Sequence, residues 1–297
     1  MRVATTQFQL RAEQSVEAFA DHLEALVAKA ARGGADVVVF PELVDTGLLG
    51  AIRGHEVTVA SLHDDYWNEL TEFTPRIVEH FASLASRYGI DVLGGSLMRI
   101  DGAGDLKNTA YHAKKDGGLV LQDKIHLTPQ EHELGVRGGD SVTVTTIGEH
   151  GAGILICADI QFPELSRYIA RKGADLILCP SLTWNRRGVH RVRTGCQARA
   201  MENQLFVVMS PLVGHSGLPV DAPMHAVGEA IVAGPVDRTF GVNDGLLARA
   251  EETVGHESVL FCDLDFDRLE QSRRTPEAPG VALQRPDVYA LLEEELR

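Results

Sequence analysis

Gly153-Ile-Leu-Ile-Cys-Ala-Asp-Ile-Gln-Phe-Pro-Glu164 is an apolar run that stops at a thiol and passes directly into a polar turn. No polar face interrupts Ile154, Leu155 and Ile156, so the strand they predict, ending at Cys157, is buried on both sides, as in a mainly parallel sheet. Sheets of that kind carry their chemistry at the carboxyl ends of strands, where Cys157 stands. A free cysteine commonly behaves as a small buried hydrophobe. Its candidacy as a nucleophile therefore depends on partners elsewhere in the chain.

The pattern around this strand occurs twice. Residues 14–32 predict a helix, with Val16, Phe19, Leu23, Leu26, Val27 and Ala30 on one face, closed by Gly33-Gly34. Gly34-Ala-Asp-Val-Val-Val-Phe-Pro41 follows, a short apolar strand ended by proline, and Glu42 is the first charge beyond it. In the second half a helix from about 163 leads into Gly173-Ala-Asp-Leu-Ile-Leu-Cys-Pro180. The shared signature reads as an internal duplication whose corresponding strands end on one side, which lets Glu42 and Cys157 converge. Between and after these units lie a predicted helix at 71–88, hairpin strands at 90–98, 107–114 and 119–123, a helix at 190–203 and a last strand at 257–263. Strands alternating with helices and flanked by hairpins predict an α/β fold of two mixed sheets face to face, helices outside. Residues 1–274 read as one domain, and the Pro- and acid-containing stretch 275–297 as a C-terminal tail or arm.

At 297 residues and 44% hydrophobic, the chain is long enough for a full core. A net charge of −14 argues against a nucleic-acid or anionic-membrane surface, which needs basic patches. No segment approaches the ~20 apolar residues of a membrane span, and the amino terminus lacks a signal-peptide pattern. Cys157, Cys179, Cys196 and Cys262 show neither zinc-site nor disulfide spacing and suggest thiols in a reducing compartment. These features point to a cytoplasmic protein acting on a small molecule.

A thiol of pKa ~8.5 needs a base at neutral pH, usually histidine. The twelve histidines are scattered. Glu42, at a matching strand end, is an alternative, because a carboxylate in a dry pocket gains proton affinity. Acyl transfer also needs positive charge on the developing oxyanion. Lys124, after the strand 119–123, supplies it, and Glu131 seven residues on is an acid able to orient it.

Together these residues resemble the nitrilase superfamily of carbon–nitrogen hydrolases. Phe40-Pro-Glu42, Asp123-Lys-Ile-His-Leu127, Ile156-Cys-Ala-Asp159 with Phe162-Pro-Glu164, and Arg199-Ala-Met-Glu-Asn203 stand in that family's order. The resemblance implies a four-layer α-β-β-α sandwich and a Glu-Lys-Cys triad of Glu42, Lys124 and Cys157. It also implies an oxyanion site from Lys124 and the backbone N–H of Ala158, and a second acid at Glu131, with Glu133 close enough in sequence to be confused with it. Homo-oligomers built on a dimer are implied too, with no metal and no organic cofactor.

Ala158-Asp159 departs from the Trp-Glu of nitrilases and the Tyr-Asp of many amidases. Asp159 favours an amide substrate, and Ala158 leaves space beside the thiol. Gly228-Glu-Ala230 stands where the family commonly has Gly-x-Ser. Ser181, Thr183, Trp184 and Asn185 are candidate pocket residues, Trp184 with core filling as its other reading. Arg186, Arg187, His190, Arg191 and Arg193 form a basic cluster that is either a substrate-carboxylate site or a solvated or subunit-facing helix. Asp159 and Glu164 are candidates for structural pairing with arginines such as Arg167. The expected activity is hydrolysis of an aliphatic amide through a Cys157 thioester. Nitrile or N-carbamoyl hydrolysis stands as its rival, and a non-catalytic binding protein as the rival of another class.

Overall fold

In the first half of the chain the elements run β1 (Arg2–Gln9), α1 (Val16–Arg32), β2 (Val37–Val39), α2 (Leu49–Arg53), α3 (Leu62–Asp64), α4 (Thr71–Tyr88), β3 (Asp91–Ile100), β4 (Leu106–Ala113), β5 (Leu119–Asp123) and α5 (Pro129–Glu133). Then follow β6 (Val144–Ile147), β7 (His150–Ile154), α6 (Pro163–Arg171), β8 (Ala174–Ser181), α7 (Arg186–Asn203), β9 (Phe206–His215) and β10 (His225–Ala226). β11 (Ile231–Ala233), β12 (Leu246–Arg249), β13 (Ser258–Asp263), α8 (Phe266–Arg274) and α9 (Pro286–Glu295) complete it. The computed structural model describes every residue except 54–57, 59, 216–224, 251–255, 279 and 296–297.

Local chemistry sets the helix ends. Ser15 caps α1 by accepting the Ala18 N–H, Glu17 stands in the first turn, and Lys29 and Arg32 stand in the last, where each charge complements the helix dipole. α4 stops at Gly89, whose φ of 66° is a left-handed conformation that glycine adopts without penalty.

The two-residue β10 pairs with the end of β9, and the other twelve described strands form two six-stranded mixed sheets. One has the order β5-β4-β3-β2-β1-β13 and the other β6-β7-β8-β9-β11-β12. Within each, the central neighbours β3-β2-β1 and β7-β8-β9 run parallel. The sheets join edge-on where Phe8 and Gln9 of β1 pair with Leu212 and Val213 of β9. The layering is visible in β2: Val38 belongs to the core beneath α1 and α4, whereas Val37 and Val39 belong to the core shared with the second sheet. Ile169 of α6 and Val192, Cys196 and Ala200 of α7 cover the far side of that second sheet. The result is the expected helix–sheet–sheet–helix sandwich, with the corresponding strand ends of both halves on one side.

The structure departs from the sequence reading at boundaries near the site and in the C-terminal stretch. β7 ends at Ile154, three residues before Cys157. Leu155 still donates to the Leu178 carbonyl, after which the chain turns into a 3₁₀ helix, Cys157–Gln161. α7 begins at Arg186 rather than 190, because Asn185 caps it by accepting the Gly188 N–H. The 275–297 stretch, of which 279 and 296–297 lie outside the described residues, contains a 3₁₀ turn at Val281–Leu283 and the helix α9.

Candidate active site

Glu42 is fixed by its neighbours on both sides. β3 has an irregular register between Leu93 and Ser96, and this irregularity wraps the end of β2. Ser96 donates its N–H to the Pro41 carbonyl at 3.2 Å and accepts the Leu43 N–H on its hydroxyl at 3.1 Å. Gly95, at φ 77°, is required here, since a Cβ on it would lie 1.9 Å from the Pro41 carbonyl oxygen. The backbone on either side of Glu42 is thus clamped, and Leu43 is held at φ 48°.

Lys124 leaves β5 with its N–H on the Asn108 carbonyl at 2.8 Å and its own carbonyl accepting from Gly139 at 2.8 Å. Its ammonium is 1% exposed and lies 2.6 Å from Glu42 Oε1 and 2.7 Å from Glu131 Oε2. Glu131 sits in a capping box with Thr128, whose N–H and hydroxyl both donate to Glu131 Oε2 at 2.9 Å. The Thr128-Pro-Gln-Glu131 spacing is a sequence signal that separates Glu131 from Glu133, which is exposed.

Asn108, absent from the sequence reading, closes the ring. Its Nδ2 donates to Glu42 Oε1 at 3.0 Å and to Glu131 Oε1 at 2.8 Å. Glu42 Oε2 accepts the Leu182 N–H at 2.9 Å, so the second sheet reaches the acid directly. The Cys157 thiol meets the Leu182 carbonyl at 3.4 Å and Ser181 Oγ at 3.5 Å, and it also interacts with Glu42. In the internal duplication Ser181 is the counterpart of Glu42, eight residues past the repeated glycine. The two equivalent strand ends therefore face each other across the thiol. Cys157 has φ 48°, a left-handed conformation for a non-glycine residue, and Ala158 beside it is buried.

The electrostatics follow from burial. Burial raises the pKa of Glu42 above the usual carboxylate range, and the charge of Glu131 adds to this while Lys124 opposes it. Burial works against the charge on Lys124, but Glu42 and Glu131 outweigh it and raise its pKa. Burial likewise opposes ionised Glu131, yet Lys124 and the Thr128 and Asn108 donors bring its pKa down. Burial, with the charge of Glu42, pushes the Cys157 thiol up to about 12. At neutral pH Cys157 is a thiol, and its proton has to be taken by a neighbour as it reacts.

Among the described residues Asp159 pairs with no arginine. Its carboxylate, 1% exposed, accepts the N–H groups of Ile125, His126 and Ile156, and His126 Nδ1 lies 3.2 Å away. These bonds tie the turn after Lys124 to the turn that carries Cys157, a role open to a short carboxylate two residues past the thiol. Arg167 donates instead to the Glu202 carbonyl, and Glu164 is exposed. Thr183 Oγ1 donates to the Val227 carbonyl, Trp184 is half-buried against the α1/α4 core, and Asn185 serves as the α7 cap. Arg186, Arg187, His190 and Arg191 are exposed on α7, whereas Arg193 bonds the buried Glu229 at 3.0 Å. Among the described residues no cluster suited to a metal ion occurs, and no helix is long and apolar enough to cross a membrane.

Asp45, just beyond Glu42, is fully buried, and neither of its oxygens meets a hydrogen-bond donor among the described residues. Burial raises its pKa to about 7. A carboxyl that holds its proton more tightly folded than unfolded loses stability as pH rises between the two pKa values. Asp45→Asn is therefore expected to stabilise the protein above pH 7 by about 1–3 kcal/mol, an effect that fades toward pH 4. Thermal unfolding across that range checks this.

The carbon-nitrogen hydrolase family model matches residues 2–274. A probable hydrolase of Bacillus subtilis, YhcX, is 32% identical over 290 residues, 97% of this chain and 54% of that protein, so the chain spans about half its length. The omega-amidase NIT3 of Saccharomyces cerevisiae is 28% identical over 72% of this chain and 71% of the relative. Among solved structures, yeast Nit3, a nitrilase-superfamily member, superposes with a TM-score of 0.76 at 21% identity, covering 94% of this chain and 95% of that one. An amidase from Nesterenkonia sp. superposes at 0.72 with 22% identity, covering 92% and 94%.

Proposed function

Because the chain belongs to the carbon–nitrogen hydrolase family, we propose that it hydrolyses a small aliphatic amide to acid and ammonia through a thioester on Cys157. The observation that carries this reading is the placing of Glu42 between Lys124 and the Leu182 N–H, with the thiol lodged against the Leu182 carbonyl. Glu42 Oε1 already accepts from both Lys124 and Asn108, whereas Oε2 accepts a single N–H among the described residues, that of Leu182. Oε2 is therefore the oxygen with capacity for the thiol proton.

In the proposed cycle Sγ attacks the amide carbon as its proton passes to Glu42. Lys124 Nζ and the Ala158 N–H hold the oxyanion. Collapse expels ammonia, which takes the proton from Glu42 and leaves the thioester. Glu42 then deprotonates water, which attacks the thioester and frees the acid and the thiol. The raised proton affinity of Glu42 suits it to both directions of transfer. Amidases among the relatives support amide hydrolysis, and the Michael addition of acrylamide at the active-site cysteine of a mutant of the Nesterenkonia amidase supports a nucleophilic cysteine in this fold.

Ammonia release from a panel of aliphatic amides, nitriles and N-carbamoyl compounds tests the assignment. Amides are expected to react without carbon dioxide release. Turnover confined to nitriles, or carbon dioxide formed with the ammonia, overturns the amide assignment.

A further inference from the structure

Asn108 lies on β4, 1% exposed, and its side chain has only one workable orientation. Nδ2 faces two carboxylate oxygens, at 3.0 and 2.8 Å, and reversing the amide would set Oδ1 against both of them. Oδ1 has no hydrogen-bond partner among the described residues. A buried acceptor without a donor is a penalty, so the two bonds made by Nδ2 must outweigh it.

The ring these bonds complete is electrically unbalanced. Glu42 and Glu131 carry two negative charges if both are ionised, and Lys124 contributes a single positive one. Two carboxylates in one dry site tend to share a proton. Resting on the reading of Cys157 and Glu42 above, we infer that Asn108 is a positioning residue that keeps Glu42 ionised in the resting protein. Its neutral amide bridges the two acids and stabilises both charges without bringing a proton to the site. The other groups that bear on Glu42 are Lys124, Glu131, Cys157 and Tyr66. Lys124 alone supplies positive charge among them, and Tyr66 feels Glu42, Asp45 and Asp65 together. Without the amide, Glu42 takes up a proton at a higher pH and is no longer a base at neutrality.

Two variants test this. Asn108→Leu keeps the volume and removes both donors. Asn108→Asp keeps the shape and, when ionised, adds a third carboxylate. Each is expected to move the acid limb of the kcat/KM profile up by about one pH unit or more, about a tenfold loss below the limb, with recovery at alkaline pH. Should Asn108→Leu fail to fold, Asn108→Asp decides. A limb that stays in place, or a loss equal at every pH, overturns the inference.

Alkylation of Cys157 by iodoacetamide, followed by mass spectrometry across pH, provides a readout that needs no substrate. The wild-type protein is expected to show a plateau set by Glu42, lost in Glu42→Gln and displaced upward in both Asn108 variants. If Glu42→Gln alkylates like wild type, the reading of Glu42 as base falls, and the inference with it. If Glu42→Gln is slowed but the Asn108 variants keep the wild-type profile, the inference alone falls.

Discussion

Cys157→Ala is expected to lower kcat/KM by about four orders of magnitude or more, while leaving the fold in place. No other thiol stands in a position to substitute. Cys179 and Cys196 are fully buried in the core of the second sheet, and Cys262 lies on β13, at the edge of the first sheet. The structural cost is small, since only a sulfur is lost, and is expected to be about 1 kcal/mol. Cys157→Gly separates chemistry from stability more sharply. The φ of 48° at this position disfavours any residue with a Cβ, so glycine relieves about 1 kcal/mol of backbone strain. The glycine variant is expected to unfold within a few degrees of wild type and to be inactive. Thermal unfolding alongside ammonia release checks both; a glycine variant that retains turnover removes the nucleophile from the account.

Lys124→Met is expected to be the most destabilising change in the site. It leaves Glu42 and Glu131 buried without the cation that lies 2.6 and 2.7 Å from them. Breaking a buried ion pair from one side costs about 3–5 kcal/mol, and loss of an oxyanion donor about a thousandfold in turnover. The pH dependence carries a sign. In the wild type Glu131 has a lowered pKa, so its ionisation contributes stability above its unfolded pKa, and this is lost as pH falls. In the variant both acids bind protons more tightly folded than unfolded, and stability instead falls as pH rises. The deficit relative to wild type is therefore expected to be smallest near pH 5 and to grow toward pH 8. Urea denaturation at both values measures it, and a deficit independent of pH contradicts the arrangement of charges.

That Glu42, Lys124, Glu131 and Cys157 lie together in the candidate site was legible before any coordinates, because three of them stand at the end of a predicted strand and Glu131 follows Lys124 by seven residues. Glu42 and Cys157 each follow an apolar run and Lys124 follows a predicted strand, and the duplicated Gly-Ala-Asp…Pro signature brings the first two to the same end of the sandwich. The features that were not legible depend on pairing across the chain. Asn108 reaches Glu42 from 66 residues away through the register of β3 with β4, and the Leu182 N–H reaches it from 140, across the junction of β1 with β9 that joins the two sheets. A single asparagine in a strand carries no signature of either contact. The same holds for Asp159, whose partners are main-chain N–H groups and so invisible in side-chain chemistry, which is why pairing with arginine was the natural expectation. The 3₁₀ turn at Cys157 is set by its left-handed φ, a conformation that no composition rule assigns to cysteine.

The central claim is that Glu42, Lys124 and Cys157 act together on one acyl group, and acid-quenched mass spectrometry during turnover of an amide addresses it most directly. The expected result is an acyl adduct on the peptide that contains Cys157, formed more slowly in Glu42→Gln and absent in Cys157→Ala. Turnover with no adduct, or an adduct on Cys179, Cys196 or Cys262, contradicts it.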